Sequence, residues 1–308
     1  MTFTSTAPVL EIGGTHVTAA LVCQHDGGWT VSKASLLRIP LDAHAPEEVL
    51  LDVVAQAGRL LGPNHNRQWG VALPGPFDYE HGIGRYEDVG KFESLSGVDV
   101  WAGLAERLGP LAGSLAFLND ADAFGIGEYA LRSVETGRLV CITLGTGVGS
   151  AFVVDGVPAK TGVGVPPNGS CHLIEYRGRP LEDTISRRAI RREYSEAANG
   201  STPSATEPDV HEIAALCRQG DSVASQVLNR AFGALGEAIA PYLYDFEAES
   251  LIVGGSMAGS WDIVLPAIRS GLITARPSLK RLPIIRSERF EEACLIGAAQ
   301  WGQNRATR

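Results

Sequence analysis

Two stretches of this chain alternate apolar and polar residues with period 2, and each is interrupted by a short glycine turn. The first is Val9-Leu10-Glu11-Ile12-Gly13-Gly14-Thr15-His16-Val17-Thr18-Ala19-Ala20-Leu21-Val22. The second is Val140-Cys141-Ile142-Thr143-Leu144-Gly145-Thr146-Gly147-Val148-Gly149-Ser150-Ala151-Phe152-Val153-Val154. Each reads as strand, tight turn, strand. In P-loops and dinucleotide-binding units the glycine turn opens a helix whose N-terminus takes the phosphate. Here strand residues follow the glycines, so each turn is a hairpin tip. One tip in each half of the chain implies two phosphate-gripping loops facing each other across a cleft.

Helical and strand patterns mix along the rest of the chain. Trp29–Ile39 reads as one or two further strands. Pro46–Leu61 has apolar residues at helical spacing, with Glu47 and Glu48 in the first turn, where the helix dipole favours negative charge. Trp69–Leu73 is an apolar strand ending in the stiff loop Pro74-Gly75-Pro76, with Gly82-Ile83-Gly84 beyond it. Val100–Leu108 reads as a helix, Leu115–Leu118 as a buried strand and Ala121–Arg132 as the helix behind it. After the second hairpin, Leu181–Ala198 reads as one helix and the polar Asn199–Pro208 as a surface loop. Helices dominate from Asp209 to Asp245. Ser250–Val253 is then a strand, Gly254-Gly255-Ser256 a turn, and Trp261–Leu272 and Cys294–Trp301 helices. The class is α/β, with antiparallel hairpins built into each sheet.

Length and composition narrow the picture. A chain of 308 residues exceeds the size at which a single core stops growing, so two domains are expected. A net charge of −9 repels nucleic acid and anionic membrane surfaces as partners. Five scattered cysteines, Cys23, Cys141, Cys171, Cys217 and Cys294, form no CxxC pair and support neither a disulfide framework nor a zinc finger. The N-terminus lacks the basic and apolar blocks of a signal peptide, and no apolar run is long enough to span a bilayer. A reducing cytoplasm is the expected compartment.

Three further segments carry candidate chemistry. Asn119-Asp120-Ala121-Asp122 stands where a strand passes into a helix, the place where polar residues face a cleft in open α/β sheets. The helix N-terminus is expected to keep a carboxylate there ionised and able to accept a proton. Helix capping is the better explanation of an Asn-Asp pair taken alone, and it weakens once two phosphate-type hairpins bracket the same cleft. Gly254-Gly255-Ser256 would let a flat ring or a phosphate approach the backbone, or serve as an ordinary turn. Pro74-Gly75-Pro76 can shape a pocket floor or simply connect.

Together, and in this order, these segments resemble the ROK family of bacterial sugar kinases, within the actin-like ATPase superfamily. Glu11–Thr15 looks like the family's first phosphate motif, Asp-x-Gly-Gly-Thr, and Leu144–Gly149 matches the second. Asn119–Ala123 matches the Asn-Asp-Ala-Asn-Ala signature, in which Asn binds the sugar and Asp is the catalytic base. Val253–Ser256 is similar to the adenosine-contacting turn, Pro74–Pro76 to the sugar-side loop, and Leu181–Ser186 to a Leu-Glu-x-x-x-Ser segment. The resemblance implies a two-domain actin-like (ribonuclease H-like) fold with an interdomain cleft. It would place residues 1–118 and 290–308 in one domain and 119–289 in the other. It further implies ATP and Mg²⁺ as cofactors, a sugar as substrate, and a homodimer.

The chain departs from the family pattern at several points. Position 11 is Glu where the family has Asp, which keeps a carboxylate near the metal-phosphate region but lengthens it by a methylene. His16 stands where Lys or Asn is usual. The Gly-Glu-x-Gly-His motif appears as Asn168-Gly169-Ser170-Cys171-His172, which keeps the histidine and loses the sugar-binding glutamate at Gly169. The Cys-rich loop that follows in relatives is shortened to Tyr176–Pro180 without cysteine, so no structural zinc is expected, a zinc site needing about four N or S ligands. Glu182 and Glu175 are the candidates to replace the missing glutamate, and His172 remains a candidate sugar contact.

The chemistry implied is transfer of the γ-phosphoryl group of MgATP to a hexose hydroxyl through a loose transition state. Backbone amides of Gly13, Gly14, Gly145, Gly147 and Gly149, with the Thr15 and Thr146 hydroxyls, would hold phosphates. Glu11 would lie near Mg²⁺, directly or through water, and domain closure would exclude water. Gly254, Gly255 and Ser256 would face the nucleoside, Asn119 and Gly75 the sugar, and Asp120 would take the hydroxyl proton. Four other readings differ from an ATP-dependent glucokinase. A sugar-responsive repressor would need a winged helix before the first motif, where only about a dozen residues precede Gly13. A binding protein that has lost catalysis is suggested by Glu11 and Gly169, and opposed by intact Asp120. A polyphosphate donor would suit Arg187, Arg188, Arg191 and Arg192, although a solvated helix face is the better explanation of them. An N-acetylhexosamine or fructose kinase is the fourth, because the altered sugar-side residues are those that discriminate substrates.

Overall fold

The computed structural model describes residues 5–26, 28–132, 137–199 and 207–305. The chain forms two compact units. The first comprises Met1–Ser133 with Glu291–Arg308, and the second Val134–Phe290. The boundary drawn from sequence at 118/119 falls at a strand–helix junction, and compactness groups the helix beyond it with the first unit.

The first unit begins with β1 (Ser5–Ile12) and β2 (His16–His25), the antiparallel hairpin read from the period-2 pattern. There follow β3 (Gly28–Val31), β4 (Leu37–Pro40), α1 (Glu47–Arg59), β5 (Gln68–Leu73), β6 (Phe77–Asp78), β7 (Ile83–Gly84), α2 (Val100–Leu108), β8 (Ser114–Asn119) and α3 (Asp120–Leu131). The main sheet runs β3-β2-β1-β5-β8, with β4 also on β2. β1, β5 and β8 are parallel neighbours.

Alternation along β1 explains why this sheet is covered on both faces. Leu10 and Ile12 enter one apolar cluster with Leu50 and Val54 of α1 and Leu104 of α2. Ala7 and Val9 point the other way, into a cluster with Ile126 of α3 and Leu295 and Ala299 of the C-terminal helix, Phe290–Asn304. Small residues let that helix lie directly on the sheet and on α3. A Cβ at Gly70 would overlap the carbonyl of Ala298, and one at Gly297 that of Ala123.

The second unit repeats the plan. Its elements are β9 (Arg138–Leu144), β10 (Val148–Val154), β11 (Val157–Ala159), β12 (Glu175–Tyr176), β13 (Arg179–Pro180), α4 (Glu182–Ile185), α5 (Arg187–Asn199), α6 (Val210–Arg218), α7 (Ser222–Asp245), β14 (Ser250–Gly254), α8 (Trp261–Ala275) and β15 (Ile284–Arg286). The sheet order β11-β10-β9-β14-β15 matches the first, hairpin strands on one side and parallel strands on the other. Phe152 and Val140 of the sheet meet Phe232 and Leu235 of α7 and Ile268 of α8 in one core.

Two expectations change here. The single helix read over Leu181–Ala198 is broken at Ser186, whose backbone is extended (φ −68°, ψ 155°) and whose hydroxyl accepts from the Ala189 amide, so α5 starts afresh. Within the expected loop Asn199–Pro208, residues 200–206 lie outside those described, while Asn199 ends α5. The short strands β6, β7, β11, β12, β13 and β15 carry no sequence signal long enough to show period 2.

Candidate active site

Parallel pairing of β1, β5 and β8 brings three strand ends to one edge of the first sheet. Glu11 pairs across to Ala72, and Leu73 to Asn119. Glu11 and the start of α3 are thus about 10 Å apart, two strand spacings. The glycine turn follows β1 and is closed by the Gly13 amide donating to the His16 carbonyl at 2.9 Å. Gly14 has open space above it, and the Thr15 hydroxyl lies 3.1 Å from the His16 ring nitrogen Nδ1. The Leu41 amide ties the next segment to this turn through the Thr15 carbonyl, 2.9 Å away.

The loop after β5 is built around two tyrosines that the sequence did not single out. The Tyr79 hydroxyl donates to the Leu73 carbonyl (3.2 Å) and receives the Asn119 side-chain amide (3.1 Å). The Tyr86 hydroxyl donates to the Pro74 carbonyl (2.8 Å). Gly75 precedes a cis peptide to Pro76, and a Cβ on it would sit 3.3 Å from the Tyr79 oxygen. Loop and strand end are therefore locked to Asn119. Asn119 also caps α3, its Oδ1 accepting from the Ala121 amide at 3.0 Å, and Asp120 Oδ1 accepts from the same amide at 2.9 Å. Capping and a polar site coexist.

Desolvation shifts the titratable groups of this edge. Asp120 is pushed above the ordinary carboxyl range by desolvation, against the opposing pull of Lys91 and of backbone amides. Desolvation thus works against the ionised Asp120 that the helix N-terminus favours. Glu11 is raised from 4.5 to about 7, by burial first and then by the negative charges of Asp120 and Glu291, with Arg38 opposing. Burial lowers His16, with Arg38 acting in the same direction. Two carboxyls that disfavour their charged forms on one edge suit an added cation. Mg²⁺ is held through one or two carboxylates and substrate phosphates without an all-protein cage, and Glu11 beside the glycine turn fits that donor set.

In the second unit the other predicted residues gather around the β9–β10 turn. The Gly145 amide donates to the Gly147 carbonyl (3.1 Å), and the Gly149 amide to the Thr143 hydroxyl (3.1 Å). Thr146 is at the tip of this turn. Gly255, with φ at 89°, lies against the end of β9, where a Cβ would overlap the Leu144 carbonyl, so the Gly254-Gly255-Ser256 turn adjoins the glycine turn. A Cβ on Gly147 would lie 2.5 Å from Glu182 Oε1. Of the two candidate replacement carboxylates, Glu182 stands at the turn, whereas Glu175 is exposed and lines a surface groove with Glu237, Tyr242 and Asp245.

The divergent segment is pinned to β10. The Ser150 hydroxyl donates to the Gly169 carbonyl (2.7 Å) and accepts from the Cys171 amide (2.8 Å). Cys171 is buried, and desolvation pushes its thiol up to about 12. His172 is half-buried on the following turn. Gly169 adopts φ 73°, and a side chain there would meet the Ala159 carbonyl and the stem of Lys160. The hairpin β12–β13 takes the place of the Cys-rich loop and is fastened by the Tyr176 hydroxyl to Glu237 at 2.6 Å. Among the described residues, no group of three or more His, Cys, Asp and Glu side chains is assembled around a metal position.

Comparison with known proteins places this geometry. The family model described as the ROK family matches residues 9–305. The chain is 29% identical to a glucokinase of Thermotoga maritima, over 94% of this chain and 95% of that protein. It is 27% identical to an N-acetylmannosamine kinase of Haemophilus influenzae, over 95% and 93%. Among solved structures, a ROK hexokinase from Thermus thermophilus superposes with a TM-score of 0.75 at 23% identity, covering 97% of this chain and 98% of that one. A ROK glucokinase from Streptomyces griseus, in complex with glucose and AMPPNP, gives 0.73 at 20%, covering 97% and 99%. The fold is thus the two-domain actin-like ATPase fold, and with the family model spanning nearly its whole length, the chain belongs to the ROK family.

Proposed function

We propose that this chain transfers the γ-phosphoryl group of MgATP to a hexose hydroxyl, the 6-hydroxyl of a glucose-like sugar. It is a carbohydrate kinase of the ROK family. The observation that carries the acceptor side is the junction of β8 and α3. There Asn119 is fixed by Tyr79, and Asp120 shares an edge with Glu11 and the Gly13-Gly14-Thr15 turn.

Asp120 accepts the hydroxyl proton as the sugar oxygen bonds to the γ-phosphorus and the bond to the β–γ bridging oxygen breaks, releasing ADP. Asn119 orients the ring, and Gly75, held in its locked loop, lets the sugar approach the backbone. Gly13, Gly14 and Thr15 in the first unit, and Gly145, Thr146, Gly147 and Gly149 in the second, present amides and hydroxyls to phosphate oxygens. Gly254, Gly255 and Ser256 face the nucleoside. Glu11 is the residue that would hold Mg²⁺, which when bound neutralises phosphate charge. Glu182, beside Gly147, takes over sugar contact from the missing glutamate, with His172, whereas the outward position of Glu175 makes it the weaker candidate. An N-acetylhexosamine is the second acceptor class, favoured by the N-acetylmannosamine kinase relative. A polyphosphate donor gains less support, since Arg187 is engaged with Asp209 and Arg191 with the Glu207 and Pro208 carbonyls. No helix among the described residues is long and apolar enough to cross a membrane, in keeping with a cytoplasmic enzyme, and family resemblance supports a homodimer.

The test is coupled ADP release with MgATP across a panel of hexoses and N-acetylhexosamines, with Asp120→Asn alongside. Sugar-stimulated turnover is expected for the native chain and a loss of about 10²–10⁴-fold for the variant. Absence of stimulation by every sugar refutes the kinase reading, and full turnover by the variant refutes Asp120 as base.

A further inference from the structure

The acceptor side of the candidate site holds a short hydrogen-bonded chain whose direction is fixed at both ends. Its members are the Leu73 carbonyl, the Tyr79 hydroxyl, the Asn119 side-chain amide and the Ala121 amide. A carbonyl only accepts, so the Tyr79 hydroxyl gives its hydrogen to Leu73 (3.2 Å). The Tyr79 oxygen can then only receive, and it takes one hydrogen of Asn119 Nδ2 (3.1 Å). At the far end a backbone N–H only donates, so Asn119 Oδ1 faces Ala121 (3.0 Å). Both ends agree on one orientation of the Asn119 amide and oppose the flipped one.

The tyrosine is itself held. Its ring centre is 5.3 Å from that of Phe77, which in turn stands 5.3 Å from Phe117 of β8. Leu73 and Asn119 are register partners on adjoining parallel strands, so the hydroxyl bridges two neighbouring strand ends. Desolvation raises the Tyr79 phenol well above its ordinary value, and the hydrogen stays in place. A Cβ on Gly75 would stand 3.3 Å from the same oxygen, which therefore adjoins both residues assigned to the sugar. With these bonds made, Asn119 keeps one Nδ2 hydrogen and one Oδ1 lone pair. A sugar hydroxyl can answer either of them, whereas a ring carbon stripped of its hydroxyl leaves them unpaired.

We propose that Tyr79 is a specificity-determining positioning residue: by fixing the polarity of the Asn119 amide, its hydroxyl makes the site read one ring hydroxyl of the acceptor. The inference rests on the reading of Asn119 as the sugar contact and deepens it, naming what selects among acceptors. Tyr79 lies between the Pro74–Pro76 and Gly82–Gly84 segments, in a stretch without a pattern of its own.

The test compares Tyr79→Phe with Tyr86→Phe in the full-length protein, on the best hexose and a series of its monodeoxy analogues. Phenylalanine keeps the ring that packs on Phe77. Tyr86→Phe removes a hydroxyl from the same region, the one on the Pro74 carbonyl, and leaves the Asn119 bond alone. The native protein is expected to prefer the hexose over one analogue by about 10–100-fold in kcat/KM. Tyr79→Phe should cut that preference about tenfold, through a raised KM for the hexose with kcat within about threefold, while Tyr86→Phe keeps it. Equal weakening of hexose and every analogue by Tyr79→Phe would mark a merely structural role and overturn the inference. An undiminished preference in that variant, or a native protein indifferent to every analogue, overturns it too. Each of these results leaves the kinase reading intact. If the native protein shows no sugar-stimulated turnover, the kinase reading falls on that result, and calorimetric binding of the same sugars decides the role of Tyr79 by the same ratios. A native protein that binds none of them overturns both.

Discussion

Glu11 offers a direct test of how burial and charge are balanced at the first glycine turn. Its carboxyl is pushed from 4.5 to about 7, because it is desolvated at a half-buried position and repelled by the charges of Asp120 and Glu291. The folded chain therefore holds a proton on Glu11 between these values that the unfolded chain has released. Stability must fall as pH rises through that window. At ~1.4 kcal/mol per pH unit, the displacement from 4.5 to about 7 is worth about 3 kcal/mol once Glu11 is fully ionised. Glu11→Gln copies the protonated side chain in shape and hydrogen bonding. The variant should come close to the native protein at pH 4.5, where Glu11 is protonated in the folded chain and half protonated in the unfolded one, and exceed it in stability at pH 8. With ~2–4 °C per kcal/mol, the gain is about 6–12 °C in melting temperature as an upper bound, since solvent relaxation reduces the cost. Ligand-free thermal melts of both proteins between pH 4.5 and 8 measure it. Equal melting temperatures at pH 8, or a difference that does not grow with pH, would refute the account of Glu11 as a desolvated carboxyl repelled by its neighbours. A reversed sign would show instead that Arg38 dominates. Adding MgATP should narrow the gap by stabilising the native protein more, because a cation at this edge rewards the ionised form.

Two further outcomes follow from glycine positions. Gly255→Ala puts a methyl group into the Leu144 carbonyl at φ 89°, and should cost about 1–3 kcal/mol while raising KM for ATP more than it lowers kcat, as read from melts and initial rates. Gly169→Glu reinstates the family residue by name yet should fail to raise activity. Its backbone is left-handed at φ 73° and its Cβ would stand 3.0 Å from the Ala159 carbonyl, so the variant is expected to lose about 1–2 kcal/mol and to leave KM for sugar no lower.

Much of this molecule was legible before folding because period 2 and period 3.6 are local properties. Both hairpins, α1, β5, α2, β8, α3 and the C-terminal helix lie where the apolar spacing put them. The break between α4 and α5 was not legible, since Ser186 caps a new helix through a side-chain hydrogen bond that spacing cannot register. The two-residue strands β6, β7, β12 and β13 were missed because each is formed by its partner rather than by its own pattern. At the site, the motif residues could be named from the chain. Tyr79 and Tyr86 could not, because their importance comes from the carbonyls and the Asn119 amide that they touch in the folded chain.

The sequence by itself determined the two glycine hairpins, the α/β class and the candidate polar residues at each strand end. It also carried the motif order by which the chain resembles its family, since these are matters of residue type and spacing. Only the tertiary structure decided which of Glu175 and Glu182 stands at the second glycine turn, and that a side chain at Gly169 would crowd the Ala159 carbonyl from left-handed backbone. It likewise decided that Asp120 is pushed towards its neutral form. The physical reason is common to all three: burial, contact and charge depend on residues far apart in the chain, and these meet only when strands and helices pack.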